Sequence, residues 1–249
     1  MIPKKIHYCW FGGNPLPEDA QKCIASWRKY LPDYEIVEWN ESNFDVNSIP
    51  YTAQAYTAKK YAFVSDYARF WILYHHGGVY FDTDVEVIKP MDDIIAAGPF
   101  IGIEKSLATQ KPNSGGWVGI NPGLGIGAVK GDEIYREILA KYASMDFDIN
   151  GGTVVKHTTD IFHLHGFDGT NRLQKVGNIT VYPDDVFCPM DSTTGLLYLT
   201  DDSRSIHHYS CTWMDRKSFS FRLHLLKNQL IKIFGAKMVM GLSRIIKKG

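Results

Sequence analysis

The order of strand-like and helix-like segments constrains the fold of this chain more than any other feature. From the amino terminus, short runs rich in β-branched and aromatic residues alternate with longer runs of helical apolar spacing. The predicted segments are strands at 5–11, 34–39 and 79–88 and helices at 17–30 and 52–76, the second helix ending at Gly77-Gly78. Because an alternating strand and helix order favours parallel pairing, we predict an α/β fold: a single mixed sheet flanked by helices.

Weaker signals continue this pattern in the second half. Helices are predicted at about 132–144 and 153–165, and strands at 178–182 and 205–209. The polar, Gly-rich stretch from Glu104 to Pro122 is interpreted as a long loop. Neither an internal repeat nor an interdomain linker is evident before the last 34 residues, so we predict one domain at 1–215 and a tail at 216–249.

The tail differs from the domain in charge. The whole chain has 27 basic and 27 acidic residues, yet nine basic residues and no acidic residue follow Asp215. The preceding 215 residues therefore carry a net charge of −9, which makes nucleic acid an improbable partner. Apolar residues of the tail recur at helical spacing opposite the basic ones, as in helices that lie on anionic membranes. We predict a basic amphipathic helical tail that contacts such a surface.

Several features bear on where the protein works. No apolar run reaches the roughly 18–20 residues that span a bilayer, and the first residues do not have the pattern of a signal peptide. The four cysteines are scattered without metal-binding or disulfide spacing, as expected of a reducing compartment. We expect a cytoplasmic protein, peripheral on the inner face of the cell membrane through its tail.

Two acidic residues carry the strongest chemical signal. Asp82 and Asp84 follow the apolar strand of G-G-V-Y-F-D-T-D-V, and in extended chain their side chains point to the same side. Hard oxygen ligands at the end of a strand suit Mg²⁺ or Mn²⁺ that a diphosphate already holds in part. The preceding helix carries Asp66 and Arg69, which are three residues apart and share a face. A carboxylate and a guanidinium together can bind sugar hydroxyls and phosphate oxygens.

A second cluster lies near the end of the domain, in I-H-H-Y-S-C-T-W. A neutral imidazole of His207 or His208 is a good ligand for Mn²⁺, and of the two we slightly favour His208. The Thr212 hydroxyl and the Trp213 indole N–H can donate hydrogen bonds to a phosphate.

Together, S-D-x-x-R, G-G-x-Y-x-D-x-D and the opening I-H-Y-C-W-F-G-G resemble glycosyltransferase family 32. This family includes bacterial capsular and exopolysaccharide transferases, fungal α-mannosyltransferases and, more distantly, the catalytic domain of large glucosylating toxins. The resemblance implies a GT-A fold, in which a Rossmann-like sheet binds a nucleotide-sugar donor. It also implies a divalent cation and retention of the anomeric configuration.

The resemblance also implies individual roles. Trp10 matches the aromatic residue that stacks on the donor base, and Asn43 is loosely similar to an asparagine that contacts the nucleoside. Tyr80 matches a residue that touches the donor. In addition, Asp66 and Arg69 look like the pair that grips the transferred sugar, Asp82 matches a residue near the ribose and the metal-bound water, and Asp84 looks like the direct metal ligand. The segment that begins at Asn121-Pro122-Gly123 resembles the part of the family near the sugar and the acceptor.

These features predict a metal-dependent retaining glycosyltransferase that moves a hexose onto a growing glycan, for capsule, exopolysaccharide or O-antigen synthesis. The expected donor is a UDP-hexose rather than GDP-mannose, the expected cofactor is Mn²⁺ or Mg²⁺, and a lipid-linked acceptor would explain the tail.

Two other functions remain open. A haloacid-dehalogenase-type phosphatase would use Asp82 as its nucleophile and Asp184-Asp185 as its later acidic pair, but about 80 residues precede the motif that normally lies on the first strand. A non-catalytic sugar-binding module would not need the metal site.

Overall fold

A computed structural model describes residues 1–106, 117–192 and 194–210. The strands are β1 (Lys5–Cys9), β2 (Glu35–Trp39), β3 (Gly78–Tyr80), β4 (Val85–Val87), β5 (Phe100–Ser106), β6 (Trp117–Ala128), β7 (Gln174–Val176), β8 (Ile179–Tyr182) and β9 (Ser205–His207). The helices are α1 (Glu18–Tyr30), α2 (Pro50–Thr57), α3 (Tyr61–His76), α4 (Asp92–Ala97), α5 (Glu133–Ala143), α6 (Val154–Leu164) and α7 (Asp184–Phe187).

Seven strands form one mixed sheet in the order β2-β1-β3-β6-β5-β8-β7. β1 is parallel to β2 and β3, and β5 is parallel to β8. Because β6 is antiparallel to both β3 and β5, the strands β1, β2, β3, β5 and β8 all point the same way. Their carboxyl ends therefore meet at one edge of the sheet, where α/β proteins bind ligands. The predicted mixed α/β sheet is confirmed.

Helices cover both faces of the sheet. On one face, α3, α5 and α6 bury aromatic side chains such as Phe70, Tyr135 and Phe162. On the other face, α1, α4 and α7 contribute a second apolar cluster that includes Trp27 and Phe187. The fully buried Trp27 indole donates a hydrogen bond to the Val85 carbonyl oxygen at 2.7 Å. This bond fixes α1 against β4, close to the predicted acidic pair. Among the described residues, no helix has the length and apolarity required to cross a membrane.

Two predicted elements are each divided in the structure. The predicted helix at 52–76 is two helices, because the chain reverses at Lys59, whose φ of 57° is left-handed. No glycine or proline announces this break. The predicted strand at 79–88 is also wrong as one element. β3 belongs to the large sheet, whereas β4 pairs with β9 in a separate two-stranded ribbon.

The predicted loop from Glu104 to Pro122 is wrong at both ends. Residues 104–106 end β5 and residues 117–122 begin β6, and these two strands pair with each other. Residues 107–116, between them, lie outside the described part of the chain, as do residues 211–249. The prediction of an amphipathic tail at 216–249, and the domain boundary before it, therefore stay predictions.

Candidate active site

A cleft of about 450 Å³ opens at the carboxyl edge of the sheet. The end of β1, the helix α3, the turn between β3 and β4, the start of α6 and the end of β9 all contribute to its walls. The predicted site residues that line it are Trp10, Asp66, Arg69, Asp82, Asp84 and His207. Residues separated by up to 197 positions in sequence thus converge on one cavity.

Asp82, Asp84 and His207 form a cluster in this cleft. One ligand atom from each lies within 4.8 Å of the others. The Asp84 carboxylate lies 3.1 Å from Nε2 of His207 and accepts the Ser210 backbone N–H at 2.8 Å. Two carboxylates and an imidazole are a fitting donor set for Mn²⁺ or Mg²⁺.

The two aspartates converge for a different reason from the one predicted. They do not extend from a straight strand, because the chain turns between β3 and β4 and the Val85 N–H donates to the Asp82 carbonyl at 3.0 Å. Beyond the turn, β4 pairs with β9 so that Val85 lies opposite His207. The ribbon therefore carries the imidazole back beside Asp84.

Strand alternation separates the two histidines. His207 is 8% exposed and faces the aspartates. His208 is exposed and its ring lies 2.9 Å from the Glu86 carboxylate. The preference for His208 as the residue that meets the metal is thus at odds with the geometry, which places His207 there.

His207 and Asp84 form a buried pair in which each partner shifts the pKa of the other toward the charged form. Burial opposes the charge of Asp84, but the nearby His207 and the Ser210 N–H lower the pKa of this carboxyl to about 2. Burial likewise opposes the charge of His207, yet Asp84 raises the pKa of the imidazole to about 9. A metal ligand must be a neutral imidazole, so a cation bound here would displace the His207 proton.

Arg69 is the centre of a second, connected network. Arg69 is 3% exposed, and its guanidinium donates to Asp66 at 3.1 Å, to Asp82 at 3.3 Å and to the Ser65 carbonyl at 3.1 Å. The Tyr80 hydroxyl also donates to Asp82, at 3.0 Å. Removing one partner of a buried ionic group leaves the others uncompensated, which typically costs about 3–5 kcal/mol. This network therefore holds the Asp82 carboxylate in place.

Asp66 is the unusual carboxyl of this network. Burial raises its pKa to about 7, although Arg69 acts in the opposite direction. The same surroundings hold the pKa of Arg69 above its ordinary value, because the attraction of Asp82, Tyr80 and Asp66 outweighs burial. A carboxyl that titrates near neutral pH in a cleft can either accept or donate a hydrogen bond to a bound sugar.

The structure adds residues that the sequence indicated only faintly. The Gly123 carbonyl accepts the Asp82 N–H at 3.2 Å, and the Gly123 N–H donates to Oδ1 of Asn121 at 2.7 Å. A Cβ on Gly123 would lie 2.2 Å from the Asp82 carboxylate, so a glycine is required there. Asn121 lines the cleft, and its amide donates to Glu104, which is not among the described lining residues. The Asn-Pro-Gly turn was the only sequence signal for this group.

The remaining predicted donor residues are placed differently. Trp10 lies at the cleft, where its indole N–H donates to the Asn14 carbonyl at 2.6 Å. Tyr80 is 1% exposed and acts on the site through Asp82. Asn43 is not brought to the cleft, because its amide bonds the backbone of Glu38 and Asn40 in the turn after β2. The predicted donor-binding residues Thr212 and Trp213 lie outside the described residues.

The acidic pair of the phosphatase alternative lies elsewhere. Asp184 and Asp185 lie on α7, where their carboxylates accept hydrogen bonds from Asn171 and Thr200. Neither is among the described residues that line the cleft. The arrangement therefore offers Asp82 no acidic partner from this pair.

A family model covers the central part of this site. Residues 17–101, which include Asp66, Arg69, Asp82 and Asp84, match the family described as glycosyltransferase sugar-binding region containing DXD motif. Inositol phosphoceramide mannosyltransferase 1 of Schizosaccharomyces pombe is 32% identical over 116 residues, which are 40% of this chain and 33% of that protein. The uncharacterized glycosyltransferase L373 of Acanthamoeba polyphaga mimivirus is 32% identical over 106 residues, covering 40% of this chain and 42% of that one.

The similarity is confined to part of each relative. This chain matches about a third of the length of the curated mannosyltransferases, from 27% to 33% for the first three. Among solved structures, the PaToxG glycosyltransferase superimposes with a TM-score of 0.48 at 19% identity, over 66% of this chain and 69% of that one.

Proposed function

We propose that this protein, whose residues 17–101 match DXD-containing glycosyltransferases, is a metal-dependent retaining glycosyltransferase that transfers a hexose from a nucleotide sugar to a glycan. One observation carries the proposal: Asp82, Asp84 and His207 form a cluster suited to holding a cation directly beside the Asp66–Arg69 pair, in one cleft at the carboxyl edge of the sheet.

Different residues of the cleft bind different parts of the donor. Asp82, Asp84 and His207 would hold a Mn²⁺ or Mg²⁺ ion, which would supply positive charge to the leaving diphosphate. Arg69 holds the carboxylates of Asp82 and Asp66 in place. Asp66 forms hydrogen bonds with hydroxyl groups of the transferred sugar. Trp10, at the cleft, offers an aromatic face to the base.

The carboxylates of the cleft support a same-face reaction. Among the described lining residues, the carboxylates are Asp66, Asp82 and Asp84, and each is already paired with Arg69 or His207. This leaves no separate carboxylate as a nucleophile on the opposite side of the sugar. A leaving phosphate oxygen that accepts the acceptor's proton fits this arrangement and retains the anomeric configuration.

The names of the relatives bear on the donor sugar, and the charge of the tail bears on the cellular setting. Several are called mannosyltransferases, which supports a hexose donor and makes GDP-mannose a candidate beside the expected UDP-hexoses. The polysaccharide is a capsule, exopolysaccharide or O-antigen. The basic residues after Asp215 would hold the enzyme on the cytoplasmic face of the membrane, near a lipid-linked acceptor.

Thermal unfolding with added donors tests this proposal. UDP-glucose, UDP-galactose and GDP-mannose are each added with Mn²⁺, and the true donor should raise Tm because it binds only the folded protein. Asp84→Asn should lose this shift. Glu86→Gln, a change on the same ribbon but outside the cluster, should keep it.

The same experiment can contradict the proposal. If none of the nucleotide sugars changes Tm in the presence of Mn²⁺, the cleft is not a donor site. A phosphatase would instead respond to phosphate mimics and accumulate an acid-stable phospho-aspartate at Asp82.

A further inference from the structure

The orientation of His207 lacks the support that metal-binding histidines usually have. Such a histidine normally donates its second ring N–H to a carboxylate or carbonyl, which fixes the ring. Nε2 of His207 faces Asp84, whereas Nδ1 is buried and has no hydrogen-bond partner in the part of the chain that the structure describes. Another contact must therefore hold the imidazole.

That contact is the ring of Tyr209. The two ring centroids lie 4.3 Å apart with the planes tilted by 60°, a close packing arrangement. Tyr209 also lines the cleft, on the same wall as His207. Since none of the described residues bonds Nδ1, Asp84 at Nε2 and this neighbouring ring hold the imidazole in position.

Tyr209 is held in a costly conformation. Its φ is 50°, a left-handed value that residues other than glycine seldom adopt and that persists only where the surroundings enforce it. The turn also places the Ser210 N–H 2.8 Å from the Asp84 carboxylate. The Tyr209 hydroxyl lies 2.9 Å from the Cys188 sulfur, and the Glu104 carboxylate lies nearby.

Glu104, on β5, lies between the two sides of the cluster. Its carboxylate accepts the Asn121 amide, and this chain of bonds continues through the Gly123 N–H to Asn121 and the Asp82 N–H to the Gly123 carbonyl. On the other side, the carboxylate lies near Tyr209, whose ring packs on His207. A negatively charged acceptor suits this position, because the Asn121 amide is a donor and the Tyr209 hydroxyl can be one.

We propose that Glu104 and Tyr209 are positioning residues of the cation site: the Tyr209 ring fixes His207, and Glu104, through Asn121 and Gly123, fixes Asp82, so that both ligands keep the distance that one divalent ion requires. This inference rests on the proposed function. It assigns no metal bond to Glu104 or Tyr209, which act through the ligands.

Supporting residues of this kind typically change metal affinity by about 10–100-fold. Glu104→Gln removes the negative charge that accepts the Asn121 amide and lies beside Tyr209, so Mn²⁺ affinity should fall by at least about tenfold. Tyr209→Leu removes the ring and should have an effect at least as large. Tyr209→Phe keeps the ring beside His207 and loses only the hydroxyl, so it should recover a part of the affinity.

Isothermal titration of Mn²⁺ into the full-length protein, without any donor, measures these affinities. Tyr198→Phe is the matched control, since Tyr198 is 55% exposed and lies outside the described lining of the cleft. Circular dichroism and Tm show whether each variant is folded. A ranking of wild type and Tyr198→Phe above Tyr209→Phe, and of Tyr209→Phe above Tyr209→Leu, supports the inference.

Two results would overturn it, and they are distinguishable. If wild type binds Mn²⁺ while Glu104→Gln and Tyr209→Phe lower Tm without changing its Kd, these residues are structural only. If wild type itself does not bind Mn²⁺, the cation site fails, and the proposed function fails with it.

Discussion

Replacing Gly123 by alanine should inactivate the enzyme while leaving it folded. The φ of Gly123 lies outside the left-handed region, so alanine fits the backbone, and the effect comes from the new methyl group alone. That carbon would lie 2.2 Å from Oδ2 of Asp82, and real Cβ atoms do not approach other atoms closer than 3.0 Å. The carboxylate must therefore move by about 1 Å, and a displacement of this size in a reactive geometry costs about 100-fold.

The loss should appear in catalysis rather than in stability. Asp82 is only partly buried, so its side chain can swing into the cleft, and we expect a change in unfolding free energy of about 1 kcal/mol or less. Arg69 keeps its bond to the buried Asp66 when Asp82 moves, so the guanidinium is not left without a carboxylate partner. The measurement is Mn²⁺-dependent donor hydrolysis, with Tm recorded on the same preparation.

Gly127→Ala is the matched control, on the same strand. Its Cβ would lie 2.1 Å from the buried Phe100 ring, away from the cleft, so it should destabilise the fold by about 1–3 kcal/mol and leave the kinetics of the folded enzyme normal. If Gly123→Ala hydrolyses donor within about threefold of wild type, the position of Asp82 does not govern the reaction, and the reasoning is refuted.

Three further predictions concern binding, orientation and pH. Arg69→Lys should lower donor turnover by about 100-fold, because a point charge cannot replace the planar fork that contacts two carboxylates; normal turnover would make Arg69 merely structural. Trp10→Ala should raise the donor KM with a smaller effect on kcat, and an unchanged KM would assign base stacking to another residue. Burial lowers the pKa of His7 to about 4, below its ordinary value. On acidification, the imidazole is therefore protonated at a higher pH in the unfolded chain than in the folded protein. Stability should fall by on the order of 3 kcal/mol as the pH drops from about 6.5 to about 4, and His7→Gln should flatten that slope in thermal unfolding; an equal slope would contradict the assignment.

Local sequence patterns were sufficient for the order of strands and helices along the amino-terminal part of the chain and for the helix that carries Asp66 and Arg69. Both depend on periodicity over neighbouring residues, which side-chain chemistry sets directly. The break at Lys59 was not predictable, because that residue adopts a left-handed conformation without glycine or proline and the surrounding packing enforces it. The turn that brings Asp82 and Asp84 together was likewise hidden within a run of strand-forming residues.

The choice between His207 and His208 shows the limit of pattern reasoning. The alternation of side chains along a strand predicts that the two histidines face opposite sides, but only the pairing of Val85 with His207 decides which one meets Asp84. That register is a contact between residues more than 120 positions apart. Glu104 was missed for the same reason, since its role depends on partners from β6 and from the residues after β9.

The anomeric configuration of the released sugar is the most direct test of the central claim. The full-length enzyme, Mg²⁺ and an α-linked nucleotide hexose are followed by ¹H and ³¹P NMR, beginning before the free sugar can mutarotate. We predict that the nucleoside diphosphate and the α-hexose appear together, and that EDTA abolishes both signals. An initial β-hexose would contradict the retaining mechanism. The absence of nucleoside diphosphate with every donor, or hydrolysis that EDTA leaves unchanged, would contradict the assignment of this cleft as a metal-dependent glycosyltransferase site.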